Sequence, residues 1–322
     1  MTVKRPLRKE KTLMRIIDVE YITQSMSDEN AFVLRCEELF HDKISRAAAK
    51  IITARDRGSN IVCLTGPSGS GKTTTALRLR DYLENLCVPV HMISMDNFFI
   101  PDRLRPKEAT DHESPYCVDR DRLIDCIYRL RKGEKVEMPT FDFTNSEYGP
   151  TYVEQGNTAS VIIAEGIHML NPLIFDSLRD NATGIYAAPR TRVLTGSEKV
   201  VNPQALRLAR RMLRDYYGRA RSLRYTVTKM ESVDAGEEKH IKPFRENASI
   251  HIDTFHDYEP CILALYLREM PEYKNELTPD FVEKHGLTDL IELVESVPPL
   301  VTQYVPRDSV MREFVGGSVY RY

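Results

Sequence analysis

Gly66-Pro67-Ser68-Gly69-Ser70-Gly71-Lys72-Thr73 fits G-x-x-x-x-G-K-[ST] at every fixed position, and Thr74 follows it directly. An apolar run, Ile61 to Leu64, precedes the motif, and a helix-compatible stretch from Thr74 to Leu86 follows. That strand–loop–helix setting suits a phosphate-binding loop: glycines let successive N–H groups point at one anion, and the helix start adds partial positive charge. Lys72 would reach the terminal phosphates of a nucleotide, and Thr73 would hold Mg²⁺. A flexible Gly/Ser turn is the bland alternative; the complete motif in its proper context argues against it. The chemistry to expect is binding of ATP or GTP.

Three acids stand where they could act on that nucleotide. Asp96 follows a second apolar stretch, Val88 to Ser94, and a carboxylate there could take a proton from an attacking hydroxyl. Glu165 ends the apolar run Val161 to Ala164, a position that suits a Mg²⁺-linked acid and that is costly without a cation. Asp111, with Glu113, lies in a polar loop and could hydrogen-bond sugar hydroxyls. His168 has no Cys or His at metal-ligand spacing, so it is expected to be a hydrogen-bonded structural histidine. Arg207, Arg210, Arg211, Arg214, Arg219, Arg221 and Arg224 fall within 18 residues, with Asp215 the one acid among them. Like charges at helical spacing cost about 0.2–0.5 kcal/mol per pair, which points to a bound polyanion such as a phosphoryl group in transfer. An RNA-binding stripe or a solvated face are the competing readings.

These residues need elements to position them. Helical spacing covers Ala31 to Ile52; Asp119 to Lys132 is a helix capped by Asp119 and stopped by Gly133; Pro203 to Tyr217 is a helix with Pro in its first turn. Strands are expected at 61–64, 88–94, 161–164, 184–188 and 249–253. The alternation implies an α/β fold: a P-loop NTPase-type open parallel sheet with helices on both faces, plus an arginine-rich helical lid. Ligands of such sheets sit past the carboxyl ends of the strands. Residues 1–58 read as a basic arm and N-terminal helix, 59–270 as the core with its lid at about 195–240, and 271–322 as a C-terminal extension.

The 322 residues carry a formal charge of −2 and six cysteines without a C-x-x-C pair, so no global field draws the chain to nucleic acid, and reduced, mostly buried thiols are expected. No apolar run is long enough to span a membrane. Lys4, Arg5, Arg8, Lys9, Lys11 and Arg15 lack a following apolar segment, which fits a solvated arm in a cytoplasmic protein and not a secretory signal.

Taken in order, GPSGSGKTT (66–74), SMDNFF (94–99), DHESPYCVD (111–119), MPTFDF (138–143), VIIAEGIHMLNP (161–172) and RRMLRDYYGRAR (210–221) resemble the uridine kinase/phosphoribulokinase family of P-loop kinases. The likeness runs from about Ala31 to the C-terminus. Segments 236–244 and 309–318 resemble a bacterial branch of nucleoside kinases in which the kinase often follows a TGS-type domain, for which this chain has no room. The resemblance implies an ATP- and Mg²⁺-dependent kinase acting on the 5′-hydroxyl of uridine, cytidine or a related nucleoside, in pyrimidine salvage. It implies no stable nucleic-acid partner, no membrane, and leaves a homo-oligomer open. By resemblance Asp96 is the catalytic base, Asp111 and Phe141 face the nucleoside, and Arg211 is a substrate-side arginine. Arg214, Arg219 and Arg221 become lid arginines over ATP. Gly66 to Thr74 hold the phosphates, and Thr73 with Glu165 holds the metal. Where the family shows Tyr-Asp-Phe followed by His, this chain has Phe141-Asp142-Phe143 and then Asn145, Ser146 and Glu147; Phe99 stands in place of a further Tyr. A kinase for another hydroxyl acceptor, such as a sugar phosphate, and a nucleotide-gated regulatory or RNA-binding protein remain the rival readings.

Overall fold

The computed structural model describes residues 15–322; the basic positions 4, 5, 8, 9 and 11 lie outside them. Five parallel strands form the central sheet: β1 (Ile61–Thr65), β2 (Val90–Ser94), β3 (Val161–Glu165), β4 (Ala182–Ala188) and β5 (Ile250–Asp253). Their order is β5–β4–β1–β3–β2. The order reverses around β1, so the crevice at its carboxyl end is the place where such a sheet binds a ligand.

β1, β3 and β4 are largely apolar because both faces are covered, whereas β2 carries His91 and Ser94 and β5 carries His251 and Asp253. Val62, Leu64, Val161, Ile163, Ile185 and Ile252 enter one buried cluster, while Ile61, Cys63, Ile93, Ile162 and Ala164 enter the other. This alternation follows the two-residue period of a strand. The first face packs on α1 (Glu29–Arg55) and α2 (Lys72–Asn85), and the second on α3 (Arg120–Arg131). Asp119 caps α3 by accepting from the Arg122 N–H at 3.1 Å, and Gly133 follows the helix at φ +80°, as the sequence leads one to expect.

The arginine-rich segment forms α4 (Pro203–Arg219), with Pro at its start and Asn202 accepting from two first-turn N–H groups. Ala220 turns the chain at φ +50°, and α5 (Leu223–His240) follows, capped by Ser222. Helix α4 lies partly inside the molecule: Leu206, Ala209, Met212 and Leu213 are buried in the main core. After β5 comes α6 (Glu259–Glu269). Beyond residue 271 the chain continues in short helices and turns whose Leu290, Leu293, Val294, Val310 and Phe314 join the same cluster.

Several small elements escape the periodicity. Ile16–Asp18 pairs in parallel with Arg192–Leu194, Lys135–Met138 pairs with Tyr152–Gln155, and Phe141–Asp142 pairs with Glu147–Tyr148. Each is two to four residues long, too short to show an alternating pattern. Arg15, the one basic residue of the N-terminal group that is described, forms a two-pronged ion pair with Asp257. All six cysteines are free, and all but Cys87 are buried. Among the described residues no helix is long and apolar enough to cross a membrane.

Candidate active site

The loop between β1 and α2 places Lys72 at the first position of a 14-residue helix. Gly71 sits just before it at φ +79°, a left-handed conformation that glycine adopts without strain. The carboxyl ends of β1, β2 and β3 lie side by side: Glu165 is in register with Leu64 on one side and Ser94 on the other. The parallel register therefore brings the 66–71 loop, Glu165 and the 95–98 turn carrying Asp96 to one edge.

Glu165 is buried at this edge. Ser94 Oγ donates to its Oε1 at 3.0 Å, and Thr73 Oγ1 lies 3.4 Å from its Oε2. Burial pushes its carboxyl up to about 7, against the pull of Lys72; the charge of Asp96 pushes the same way as burial. A carboxylate so placed calls for a cation. The donors at hand, the Glu165 carboxylate and the Thr73 hydroxyl, are hard oxygens suited to Mg²⁺, which takes few protein ligands when phosphates and water supply the rest. Among the described residues no group of three or more His, Cys, Asp or Glu is arranged to hold a metal ion. No hydrogen bond or ion pair engages the side chain of Lys72 or of Asp96 among the described residues.

Glu113 belongs to the same electrostatic neighbourhood. Burial raises its carboxyl, opposed by Arg211 and Lys72 and reinforced by Asp96. Helix α5 passes so close that a Cβ on Gly236 would lie 2.4 Å from the Glu113 Cβ. Asp111 sits on the same loop, and His240 Nε2, at the end of α5, is 3.2 Å from its Oδ2. Burial alone would raise the Asp111 carboxyl; the His240 contact outweighs it, and the group is held below the ordinary aspartate range.

The arginines divide. Arg211 Nη1 donates to Ser68 Oγ at 3.0 Å, which fastens α4 to the phosphate loop. Arg211, Arg214 and Arg219 lie 4.0, 3.5 and 3.2 Å from one buried carboxylate, that of Asp215. The acid that interrupts the basic run therefore gathers three of its cations. Arg221 stands apart: it is exposed and its guanidinium lies 5.2 Å from the Tyr225 ring centre. Arg207 and Arg210 do not wait for a polyanion. Arg207 pairs with Glu237 at 2.7 Å, and Arg210, fully buried, holds both oxygens of Glu259 at 2.6 and 2.7 Å. The charge density of the sequence is thus partly spent on internal partners, which corrects the expectation that the whole stripe serves one ligand.

Phe141 packs with Phe99, Phe143 and Tyr148, ring centres 4.9–6.5 Å apart, beside the turn of Asp96. The polar groups of this hairpin are satisfied within it or by a neighbour: Asp142 accepts from Asn145 and the Thr144 N–H, and Glu147 is taken by Arg103. Phe143 is 60% exposed, so ring faces are what the hairpin presents. His168 is fully buried; its ring nitrogens make no well-formed hydrogen bond, but backbone groups of Glu113 and His240 lie beside them and partly offset the burial that lowers its pKa to about 3.

A model of the phosphoribulokinase / uridine kinase family matches residues 61–259. The chain belongs to that family. The family is one of kinases, which move a phosphoryl group onto a hydroxyl. Uridine kinase of Saccharomyces cerevisiae is 30% identical over 204 residues, which cover 61% of this chain and 37% of the yeast protein. Uridine kinase of Staphylococcus haemolyticus is 28% identical over 198 residues, 60% of this chain and 87% of that one. The chain thus spans well under half of the yeast relative and most of the bacterial one. Among solved structures, one described as a possible uridine kinase from Bacillus stearothermophilus aligns over 66% of this chain and 98% of its own, at 17% identity and a TM-score of 0.43.

The sequence missed Asp215 as an organiser, although its isolation among arginines was visible. It also missed His240 as the partner of Asp111, which no local pattern signals across 129 residues.

Proposed function

We propose that this chain is an ATP- and Mg²⁺-dependent kinase that phosphorylates the 5′-hydroxyl of a nucleoside, with uridine and cytidine as the first candidates. The observation that carries the reading is the shared edge: Lys72, Asp96, Glu165 and the Arg211–Ser68 contact converge on one phosphate-binding loop. In this reading Gly66, Pro67, Ser68, Gly69, Ser70, Gly71, Lys72, Thr73 and Thr74 cradle the phosphates of ATP. Thr73 and Glu165 would hold Mg²⁺, which when bound spreads charge off the phosphoryl oxygens.

Asp96 accepts the proton of the acceptor hydroxyl as its oxygen attacks the γ-phosphorus. The bond from that phosphorus to the β-phosphate oxygen breaks, and ADP leaves. Lys72, Arg211, Arg214 and Arg219 stabilise charge on the moving group, with Asp215 fixing the last three arginines in place; Arg221 would join only from its exposed position. Asp111, held by His240, receives the ribose hydroxyls, and the rings of Phe141 and its neighbours face the base. That aromatic hairpin favours a ring-bearing acceptor over a bare sugar phosphate. A cytosolic place in pyrimidine salvage goes with this reading.

The test is a panel of nucleosides and sugar phosphates incubated with ATP and Mg²⁺ and read by mass spectrometry. A 5′-phosphorylated nucleoside is expected; a product only from sugar phosphates, or none, overturns the substrate. Asp96→Asn should retain ATP binding and lose turnover by at least about 10²-fold. Turnover near the unmodified level would remove Asp96 from the role of base.

A further inference from the structure

The segment from Ser309 to Tyr322 lies against the first turn of α2. Thr74 Oγ1 donates to Glu313 Oε2 at 2.6 Å and is 3.0 Å from the Tyr322 hydroxyl. Val310 closes on the phosphate loop itself, since its Cγ1 would meet a Cβ on Gly71 at 2.5 Å. The Phe314 ring lies 5.2 Å from the guanidinium of Arg210, whose Nη1 donates to the Ser70 carbonyl of that loop at 3.2 Å. Farther along, the Tyr320 hydroxyl donates to Asp81 Oδ2 at 2.6 Å on the next turns of α2.

Thr74 is fully buried, and a threonine hydroxyl has one proton to give. Here it goes to a carboxylate. The N–H groups and hydroxyls at the start of a helix that follows such a loop are the groups that bind nucleotide phosphates. Glu313 therefore sets an anion of the chain's own on a donor that a bound phosphate would use. No cation pairs with Glu313 among the described residues, and its charge adds to the strain on Glu165. Two anions cannot share the single proton of Thr74.

We propose that Glu313, together with Tyr322, is a built-in competitor at the nucleotide site: it satisfies Thr74 while the site is empty, and a nucleotide takes that hydroxyl by displacing it. This rests on the reading of the loop as a nucleotide site. The consequence is that Glu313 sets the affinity for the phosphoryl donor below what the loop alone would give, and that the position of residues 316–322 follows occupancy.

The test is calorimetric titration of the full chain with MgADP. Glu313→Gln keeps the shape and removes the charge, and should lower the Kd by about ten-fold, the scale of one hydrogen bond to a charged group. Hydrogen exchange on the unmodified protein needs no variant. Val319 N–H donates to the Arg307 carbonyl at 2.9 Å, and peptides covering 318–322 should exchange faster when MgADP saturates the site. MgADP binding that is equal or weaker in Glu313→Gln, or exchange that slows with MgADP, overturns the inference while leaving the nucleotide site intact. Weaker binding would make Glu313 a residue that helps hold the nucleotide. If neither the unmodified chain nor Glu313→Gln binds MgADP, the nucleotide reading falls and takes the inference with it. Binding by the variant alone supports both.

Discussion

His240 Nε2 lies 3.2 Å from Asp111 Oδ2, so the helix that follows the arginine-rich α4 ends on the carboxylate of the polar loop before α3. The two residues belong to elements that approach the sheet edge from different parts of the chain. The end of α5 thus helps to set the position of the acid that is proposed to receive the acceptor's sugar. His240→Ala leaves Asp111 without this partner. The expected outcome is a rise of about five- to ten-fold in KM for the nucleoside, the scale of one ordinary hydrogen bond at a partly exposed site, with KM for ATP within two-fold. Steady-state kinetics with each substrate varied in turn checks it; an effect confined to ATP would separate His240 from the acceptor.

Gly236 gives a second handle on the same junction. A methyl group there would meet the Cβ of Glu113 at 2.4 Å, closer than two side chains tolerate. Gly236→Ala favours the helix by up to about 1 kcal/mol through propensity, yet must push the loop of Asp111 and Glu113 away. We expect turnover to fall at least about ten-fold while the far-ultraviolet helix signal stays or rises. Unchanged turnover would show that the loop accommodates the shift without consequence.

Glu165 illustrates how function opposes stability. Its carboxyl is raised from 4.5 to about 7 in the folded protein, chiefly by burial. At pH 8 it is ionised in folded and unfolded chains alike, and the folded form bears a cost of roughly 3 kcal/mol in the absence of a cation. Glu165→Gln removes that cost. The metal-free variant should therefore melt higher than the unmodified chain at pH 8, and should lose both turnover and the stabilisation that Mg²⁺ with nucleotide confers. Differential scanning calorimetry with and without MgADP checks the pair of effects; a variant that melts lower would mean that the carboxylate is well satisfied by Ser94 and Thr73 alone.

Much of this site is legible in the linear sequence because its parts are local. The phosphate loop is eight consecutive residues, and Asp96 follows, while Glu165 ends, a strand that an apolar run announces. Parallel pairing then brings the strand ends together without further information. The rest depends on contacts that no window contains. Glu313 is 239 positions from the hydroxyl it binds, and Arg210 and Glu259 are 49 apart, so the sequence shows a surplus of arginine where the fold has a neutral pair. The hairpin of Phe141 and Tyr148 pairs only two residues on each side, below the length at which alternation speaks.

The Arg210–Glu259 pair lends itself to direct measurement. Both side chains are fully buried, and both carboxylate oxygens are used. Arg210→Met strands Glu259 in the interior and should cost about 3–5 kcal/mol, whereas removing both charges in Arg210→Met with Glu259→Leu should recover most of it. Urea denaturation of the two singles and the double gives the coupling. Additive losses would place the worth of Arg210 in its contacts to the Ser70 and Thr254 carbonyls, and not in the ion pair.

His168 carries a signature in pH. Burial lowers its pKa to about 3 in the folded chain, against 6.5 when exposed. Between those values the unfolded chain binds a proton that the folded chain refuses, so stability rises with pH across the interval and is complete above 6.5. Read downward, acidification below pH 6.5 should remove about 1.4 kcal/mol per unit through this group. Glu165 acts in the other sense: its raised pKa makes the folded chain the better proton binder between 4.5 and about 7. The two contributions overlap, and a stability curve of the unmodified protein alone would blur them. His168→Leu isolates the first, because Glu165 is common to both proteins. Urea midpoints at pH 7.5, 6.5 and 5.5 should show the variant gaining on the unmodified chain as pH falls, with the difference level above pH 7. The ring nitrogens of His168 make no well-formed hydrogen bond, so the leucine exchange should cost little at pH 7.5. A difference that does not vary with pH would mean that the imidazole reaches water or takes up its proton in the folded state.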